Sequence, residues 1–274
     1  MGHSTPGGFP DLRIVPVSSL LRHEDVDFER VARLLDRLSA DGTLRNPPIV
    51  AALPDSDRFL LLDGANRVSA IENLEIPHIL VQVEAFEDPE LSFRHWNHVV
   101  RDIEAERLLE RVPKLAGVSV SEGTVESPHT ISTISTGAGR SLSVTADVPL
   151  ESRVGLWREI VEIYTTREAR MDRVNHTDIE AIAHQHPHFG ALVTFPDFRK
   201  DDIRRVAEQG QRLPSGVTRI LVPRRVLGFN LQLPLLKSSL PLEEKRSWLS
   251  DAIQHKVSEH KVRYYQEPTF IFDD

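Results

Sequence analysis

Residues 59–71 join a short apolar run to a group of polar side chains at a turn. The apolar residues 59–62 predict a buried strand that stops at Asp63 and Gly64, after which apolar positions recur at helical spacing. A helix that begins at such a turn points its unpaired N–H groups and the positive end of its dipole toward the turn. Arg67 adds a planar guanidinium with several donors. This combination suits an anion, and phosphate above all.

The same residues also have a plainer interpretation. Asp63 would cap the helix, and Arg67 would form a surface ion pair. Short motifs have many false matches, so these residues alone leave both interpretations open.

Two other turns gather polar residues, at 23–25 after the first predicted strand and at 215–219. A carboxylate at the first turn could act as a general base toward a hydroxyl, and the Gly and Arg of the second suit phosphate. Together these pieces match phosphoryl transfer, in which positioning and charge neutralisation do most of the work. The sequence has no Gly-x-x-x-x-Gly-Lys-Ser/Thr loop and no His-Arg-Asp or Asp-Phe-Gly set, so the P-loop and protein-kinase folds are not indicated.

Composition places the chain among soluble globular proteins. Its 274 residues, 40% apolar and 27% charged, are enough for two domains. The formal net charge of -8 argues against a generally basic surface, so DNA is a disfavoured partner, although a local basic patch is compatible with this charge. The absence of cysteine excludes disulfides, thiolate metal sites and thiol nucleophiles. Without a signal-like start or a spanning apolar run, we expect a cytoplasmic protein, with no membrane association and a frayed N-terminus at residues 1–8.

The hydrophobic pattern of residues 12–83 predicts one compact α/β unit. Its predicted strands lie at 12–17, 49–53, 58–62 and 76–83, and its predicted helices run from Asp27 to Asp41 and over 67–74. A charged, helical stretch then reaches about residue 111.

A change to Ser, Thr, Gly and Val at residues 115–150 marks the passage into a second region. There the pattern predicts a hairpin of strands 130–134 and 142–145, strands at 190–195, 217–223, 226–233 and 262–265, and helices at 154–164, 197–209 and 242–257. Glu151 and Ser152 are candidate capping residues for the first of these helices, and Trp157 is expected in the core. Alternation puts His184, His186 and His188 on one side only if their segment is extended, and we favour partly exposed loop histidines over a metal site.

The motifs resemble known families when they are taken together. Asp63-Gly64-Ala65-Asn66-Arg67, followed by Ala70 and Ile76-Pro77, resembles the Asp-Gly-x-His-Arg box of the ParB/sulfiredoxin-like superfamily. More narrowly, three features are similar to the free L-serine kinases of the SerK and SbnI type: His23-Glu24, Trp96-x-His98, and Gly216-Val217-Thr218-Arg219 followed by Asn230-Leu231-Gln232-Leu233-Pro234. The resemblance runs from about residue 12 to 265, and its specificity comes from the order and spacing of the motifs.

The resemblance implies a fold and an activity. The fold would be α/β (α+β), with a ParB/sulfiredoxin-like nucleotide-binding domain at 12–110, an α+β domain at 111–274 and the site in the cleft between them. The activity would be transfer of a phosphoryl group from ATP or ADP, with Mg2+, to free L-serine, giving O-phospho-L-serine. In SbnI-like members this product feeds the synthesis of 2,3-diaminopropionate for siderophores.

The resemblance also implies roles for individual residues. Glu24 would be the base that takes the proton of the serine hydroxyl. The nucleotide phosphates would be held by Asp63, Gly64, Ala65, Asn66 and Arg67, with Asp63 also at the metal. Trp96, Thr218 and Arg219 would lie near the serine. The plainer alternatives are a helix cap for Glu24, a core or interface position for Trp96 and a structural ion pair for Arg219.

One departure from the box is Asn66, which stands where the family carries His. Asn can donate a neutral hydrogen bond, but it cannot bring a positive charge to a phosphate or transfer a proton. A second hypothesis is therefore a non-catalytic ParB-like transcriptional regulator that binds DNA or a small effector. A nuclease would rest on analogy of fold alone and is not favoured. The sequence does not fix the donor, the acceptor range or the number of subunits.

Overall fold

The computed structural model describes residues 9–54, 56–166 and 169–265. The predicted frayed N-terminus at residues 1–8 lies outside the described residues. A five-stranded sheet, the first sheet, forms the N-terminal part, with the strand order β1-β6-β4-β5-β2. Its strands are β1 (Asp11–Pro16), β2 (Leu20–Leu21), β4 (Ile49–Ala52), β5 (Phe59–Asp63) and β6 (His78–Ala85), while β3 (Thr43–Leu44) lies outside this sheet.

Two helices, α1 and α2, belong to the N-terminal part of the chain, and the residues at their ends include an Asp cap and two glycines. Helix α1 (Phe28–Asp41) begins after Asp27, whose side chain accepts a hydrogen bond from Arg30 N, and ends at Gly42 with φ of 60°. Helix α2 (Ala65–Asn73) follows β5 directly, with Gly64 as its N-cap. The strand, turn and helix predicted for residues 59–74 are thus confirmed.

A six-stranded sheet, the second sheet, forms the middle of the chain, with the order β12-β8-β13-β10-β11-β9. The strands that follow β6 are β7 (Ser92–His95), β8 (Asn97–Arg101), β9 (Ser119–Glu122), β10 (Thr130–Thr136), β11 (Ser141–Thr145), β12 (Arg170–Val174), β13 (Phe189–Thr194), β14 (Thr218–Leu221) and β15 (Leu231–Gln232). The remaining helices are α3 (Ala105–Arg111), α4 (Leu150–Tyr164), α5 (Ile179–Gln185), α6 (Lys200–Glu208), α7 (Leu233–Lys237) and α8 (Leu242–Ser258). Strand β14 pairs with β7, and β15 pairs with β3. The predicted mixture of α/β and α+β structure is confirmed.

The two sheets share buried apolar residues. Strand β5 alternates its side chains, so that Leu60 and Leu62 join the core of the second sheet while Leu61 joins the core beneath α1 and α2. Strand β8 lies in the second sheet, whereas Leu236 and Leu249 of the C-terminal helices pack with the first. No single boundary near residue 110 therefore separates the elements of the first sheet from those of the second. The division into domains stays a prediction. Within the described residues, no helix is both long and apolar enough to cross a membrane.

Several local predictions hold and others are wrong. Trp157 is buried, and its Nε1 donates to Ile131 O at 2.8 Å, which confirms its place in the core. Helix α4 begins after Pro149 without a side-chain cap, so the predicted caps Glu151 and Ser152 are wrong. Of the three histidines predicted in a loop, His184 lies in helix α5, which Asp178 caps, while His186 and His188 lie in the turn after that helix. Of the predicted strand 226–233 only β15 forms, and residues 262–265 are exposed and pair with no strand.

Lys245 is buried in α8 and ties α7 to the first sheet. Its Nζ donates to Leu236 O and Ser238 O, both at 2.8 Å, and lies 3.1 Å from His78 Nδ1. These bonds satisfy carbonyls at the C-terminal end of α7 that the helix itself leaves unpaired. Burial lowers the pKa of Lys245.

Lys245→Met is expected to lower the free energy of unfolding by about 1–3 kcal/mol, because it leaves two carbonyls without their donor. Denaturant unfolding followed by circular dichroism measures the change. Lys237→Met is the matched control, since Lys237 is exposed in the same region, and it should shift stability by less than about 0.5 kcal/mol. Equal stability of the two variants would contradict a capping role for Lys245.

Candidate active site

A cavity of about 990 Å³ lies where the β5–α2 turn, the segment after β2 and the turn before β14 meet. This volume is at the upper end for small-molecule sites and has room for a nucleotide beside a small substrate. Every site residue predicted from the sequence lines it: Glu24, Asp63, Gly64, Ala65, Asn66, Arg67, Trp96, Thr218 and Arg219. The structure therefore brings the predicted residues together, while their individual roles stay predictions.

Glu24 is held at the cavity by bonds from the turn before β14. Backbone hydrogen bonds from Leu213 N to His23 O (2.7 Å) and from Asp25 N to Leu213 O (2.8 Å) fix its segment. Its Oε1 then accepts from both Thr218 N and Thr218 Oγ1, each at 2.9 Å. Because Asp27 caps α1, the alternative in which Glu24 is the helix cap is wrong.

Two opposing effects act on the acidity of Glu24. Burial raises its pKa, while the hydrogen bonds from Thr218 and the charge of Arg173 lower it, and burial is the larger effect. A carboxylate with a raised pKa is a stronger proton acceptor than an exposed one. This is the property that a general base near neutral pH requires.

His23 connects β5 to the same turn. Its Nδ1 lies 2.9 Å from Leu61 O and its Nε2 lies 3.0 Å from Thr218 Oγ1. The side chain is buried, and burial lowers its pKa to about 4. His23 is therefore neutral near pH 7. The sequence placed it in a motif without giving it a role.

The turn that presents Thr218 is supported from behind by His98. Since Gly216 O can only accept, His98 Nε2 donates to it at 2.7 Å, and His98 Nδ1 accepts from the Tyr164 hydroxyl at 2.7 Å. Burial lowers the pKa of His98 to about 4. Gly216 has φ of 83°, a conformation that strains any other residue, and a Cβ there would displace the guanidinium of Arg173.

The Asp63 carboxylate binds two arginines. Its Oδ2 accepts from Arg67 Nη2 at 3.2 Å and from Arg225 Nη1 at 2.6 Å. Burial raises the pKa of Asp63, but the charges and hydrogen bonds of the two arginines outweigh burial and hold the pKa below its usual value. Helix α2 has no side-chain cap, so the interpretation of Asp63 as its cap is wrong.

Arg67 is partly buried and holds the chain before β4. Its Nη1 donates to Asn46 O at 2.9 Å and to Pro47 O at 3.1 Å. Gly64, with φ of 100°, packs so closely here that a Cβ would lie 3.0 Å from both Arg67 Nη2 and Pro48 Cβ. The ion pair of Arg67 with Asp63 is thus part of a packed corner, not the surface pair of the plainer interpretation.

Asn66, the residue that departs from the box, is anchored by one end of its amide. Its Oδ1 accepts from Asp27 N at 3.0 Å, which joins the start of α2 to the start of α1. Within the described residues, no hydrogen bond engages its Nδ2. The amide therefore has donors available at the cavity.

Trp96 and Arg219 form the opposite side of the cavity. Thr218 pairs with His95 in the β14–β7 ladder, and Trp96 N donates to Val217 O at 2.9 Å. The Arg219 guanidinium lies 4.7 Å from the centre of the Trp96 ring, a cation–π contact. In the described part of the chain no carboxylate pairs with Arg219, so it is not the structural ion pair of the plainer alternative.

Charge distinguishes this cavity from the rest of the molecule. Eight arginines and three carboxylates line it, although the whole chain carries a net charge of -8. The arginines are Arg22, Arg30, Arg33, Arg37, Arg67, Arg173, Arg219 and Arg225, and the carboxylates are Glu24, Asp25 and Asp63. Such an excess of positive charge in a concave site attracts an anionic ligand.

Several of these arginines were missed by the sequence reasoning. The spacing of Arg30, Arg33 and Arg37 along α1 is a signal that could have found them, because i, i+3 and i+7 share one helix face. Arg173 and Arg225 reach the cavity only through the tertiary fold, and no local signal marks them.

In the part of the chain that the structure describes, no metal site made of protein ligands alone is found. The described residues contain no group of three or more His, Asp or Glu side chains that could hold an ion. Of the three neighbouring histidines, His186 lies against Asp172, with its Nδ1 3.0 Å from Oδ2.

The two buried histidines predict a loss of stability in acid. Their folded pKa of about 4 lies below the ordinary 6.5, so between these values the unfolded chain binds protons that the folded chain does not. Stability should therefore fall as the pH falls from about 6.5 to 4, by about 2 kcal/mol for each histidine at pH 5. Urea unfolding at pH 7 and pH 5 measures this, and His98→Gln should lose about 2 kcal/mol less than wild type over that interval. Equal losses would contradict a neutral, buried His98.

Comparison with known proteins finds relatives that are named as L-serine kinases. No family model matches the chain. It is 24% identical over 265 residues to the ATP-dependent L-serine kinase SbnI of Staphylococcus aureus, covering 96% of this chain and 97% of the relative. It is also 26% identical over 112 residues to the ATP-dependent L-serine kinase of Staphylothermus marinus, covering 40% and 42% of the two chains.

Solved structures show the same fold. Truncated SbnI from Staphylococcus aureus superposes with a TM-score of 0.72 at 21% identity, over 90% of this chain and 97% of that one. A free serine kinase in complex with AMP gives a TM-score of 0.68 at 14% identity, over 82% and 93%. Over nearly its whole length the chain is similar in sequence to a curated ATP-dependent L-serine kinase, and its fold is similar to that of solved free serine kinases.

Proposed function

We propose that this protein is a phosphotransferase that moves a phosphoryl group from a nucleotide to the hydroxyl of free L-serine. The observation that carries the proposal is the position of Glu24, a carboxylate with a raised pKa that lines the same arginine-rich cavity as the β5–α2 turn. Similarity to curated L-serine kinases over 96% of the chain supports the choice of acceptor. The curated relatives are named as ATP-dependent, which supports ATP over ADP as donor.

In this mechanism Glu24 accepts the proton of the serine hydroxyl as that oxygen attacks the terminal phosphorus. Asn66 and the first N–H groups of α2 bind the nucleotide phosphates, as the N-terminus of a helix favours anions. Trp96, Thr218 and Arg219 form the serine side of the cavity. The charge that develops on the transferred phosphoryl oxygens is balanced by guanidinium groups, which cost no reorganisation when they are already in place.

Mg2+ fits this site as an ion carried by the nucleotide. Magnesium in phosphoryl-transfer sites uses one or two carboxylates together with substrate phosphates. Asp63 is the carboxylate that would hold it, alongside the bonds that its Oδ2 accepts from Arg67 and Arg225. When bound, the ion neutralises phosphate charge. The proposed cleft lies between the predicted domains 12–110 and 111–274.

The chemistry of the product, O-phospho-L-serine, indicates a biosynthetic role. O-Phospho-L-serine carries a good leaving group on Cβ, so it suits replacement of phosphate by a nitrogen nucleophile. We propose that it supplies 2,3-diaminopropionate for siderophore synthesis, on the basis of the full-length similarity to SbnI.

Glu24→Gln is expected to lower kcat by about 10²–10⁴-fold, because the amide keeps an acceptor for Thr218 N but cannot take a proton. Phosphoserine is measured by mass spectrometry with ATP or ADP, Mg2+ and L-serine. Glu159→Gln, an exposed change on α4, should match wild type. A folded wild-type protein that forms no phosphoserine with either donor would overturn the proposed function, and full activity of Glu24→Gln would overturn the role of Glu24.

Asn66→Asp is expected to weaken nucleotide binding at least about tenfold, since it replaces a donor by an anion while keeping the acceptor for Asp27 N. Titration calorimetry with ATP measures the affinity, and the melting temperature reports on the fold. Asn66→His, which offers both an acceptor and a donor, should retain binding. Unchanged affinity in Asn66→Asp would contradict a phosphate contact at this position.

A further inference from the structure

The hydroxyl of Thr218 lies between two groups that both accept hydrogen bonds. Its Oγ1 is 2.9 Å from Glu24 Oε1 and 3.0 Å from His23 Nε2. His23 is 5% exposed, so water does not readily take the place of Thr218 at its ring. A hydroxyl has one hydrogen, and it cannot serve both acceptors at once.

The protonation of His23 follows from its other nitrogen. Leu61 O, 2.9 Å from Nδ1, can only accept, so Nδ1 carries the proton. In a neutral imidazole Nε2 is then an acceptor, and it needs the Thr218 hydrogen. A second proton on the ring is disfavoured because burial lowers the pKa of His23 to about 4.

Two arrangements of the hydroxyl result. With Glu24 ionised, Thr218 donates to Glu24 and leaves His23 Nε2 without a hydrogen. With Glu24 protonated, the carboxyl donates to Thr218, Thr218 donates to His23, and His23 donates to Leu61 O, so that every group is satisfied. Thr218 N donates to Oε1 in both arrangements and keeps the carboxyl in place.

We propose that His23 is a positioning residue for Glu24. His23 acts through the Thr218 hydroxyl and makes the protonated carboxyl of Glu24 the fully hydrogen-bonded form. The proposal rests on the proposed function for its catalytic meaning. A buried polar group left unpaired costs free energy, so the chain of bonds strengthens Glu24 as a proton acceptor. The sequence gives no hint of this, because Leu61 and Thr218 are far from His23 along the chain.

In the proposed reaction the hydrogen bonds that join Glu24, Thr218 and His23 change their arrangement once. The serine O–H bond breaks and its proton goes to Glu24, while the oxygen electron pair forms the new bond to the terminal phosphorus. The bond from that phosphorus to the bridging oxygen breaks, and the nucleotide leaves with the electron pair. The Thr218 hydrogen turns from Glu24 to His23 as Glu24 becomes neutral.

Other charges also act on Glu24, and the test must separate them from His23. Arg173 on β12 lowers its pKa. The remaining charged side chains that line the cavity around Glu24 and His23 are Arg22, Asp25, Arg30, Arg33, Arg37, Asp63, Arg67, Arg219 and Arg225. Substitutions at His23 leave all of these charged side chains in the protein. A difference between two His23 variants therefore reports on the hydrogen bond between Thr218 and residue 23.

The first measurement needs no substitution at His23. ¹⁵N NMR of the histidine rings at pH 7 should find the His23 proton on Nδ1 and a bare, hydrogen-bonded Nε2. A proton on Nε2 would overturn the proposal, because Nε2 could then not accept from Thr218.

The second measurement compares His23→Leu with His23→Gln. The ¹³C carboxyl signal of Glu24, assigned by its loss in Glu24→Gln, is titrated in each folded variant without substrate. His23→Leu should weaken the proton affinity of Glu24 about tenfold, the size of one lost hydrogen bond. His23→Gln, which offers a neutral acceptor and a donor in similar positions, should return the titration toward that of wild type.

The outcomes separate the two proposals. An unchanged titration in His23→Leu, or a His23→Gln titration like that of His23→Leu, would overturn the neutral-acceptor role. Failure of the wild-type protein to form phosphoserine would overturn the proposed function. The NMR measurements would still test the hydrogen-bond arrangement of His23, Thr218 and Glu24, because they use no substrate. Where phosphoserine forms, the acidic limb of kcat against pH should move to lower pH in His23→Leu, which a merely structural role would not cause. If His23→Leu does not fold, the ring tautomer of wild type and the titration of His23→Gln against wild type decide the question.

Discussion

Thr218 is the residue on which the rest of the site depends, because both its backbone N–H and its hydroxyl donate to Glu24. A carboxylate can be withdrawn from water only when directed donors replace the lost hydration. Those donors must be rigid, and their rigidity comes from elsewhere: His98 fixes the carbonyl of Gly216, and Tyr164 fixes His98. Glu24 is thus placed by a chain of bonds that runs from the second sheet into the turn before β14. Burial then sets its affinity for a proton.

The β5–α2 turn lines the arginine-rich cavity, and its Arg67 also stabilises the local fold. Arg67 uses both N–H groups of Nη1 on Asn46 O and Pro47 O and one of Nη2 on Asp63, which leaves few of its five donors for a ligand. Its main work is to hold the β5–α2 turn against the chain before β4. The Arg219 side chain lies over the Trp96 ring and makes no hydrogen bond or ion pair within the described residues, so its donors remain available. Arg67 therefore stabilises the corner, and its part in binding the nucleotide phosphates stays a prediction.

Prediction from the sequence succeeded where the signal was local. The apolar run of residues 59–62, the turn glycine and the helical spacing after it were enough for β5 and α2, because each depends on neighbours in the chain. The resemblance to a kinase family then named residues in four separate segments that the fold does bring to one cavity. Arg173, Arg225 and the His23–Leu61 contact could not be found in this way, since they depend on how distant segments pack. The strand predicted at 262–265 is wrong for a related reason: apolar alternation forms a strand only where a partner edge is available.

Asn66 is the strongest sequence argument against catalysis, and its surroundings weaken that argument. The amide oxygen joins α2 to α1 through Asp27 N, a contact that a neutral histidine could make with one ring nitrogen, so the structural part of the position is retained. What Asn lacks is a positive charge. Arg219 and Arg225 contribute charge to the same cavity from other elements, where eight arginines face three carboxylates. Charge neutralisation in phosphoryl transfer depends on the summed field of the site more than on one side chain. A neutral donor at position 66 is therefore compatible with catalysis, provided that this residue does not itself transfer a proton.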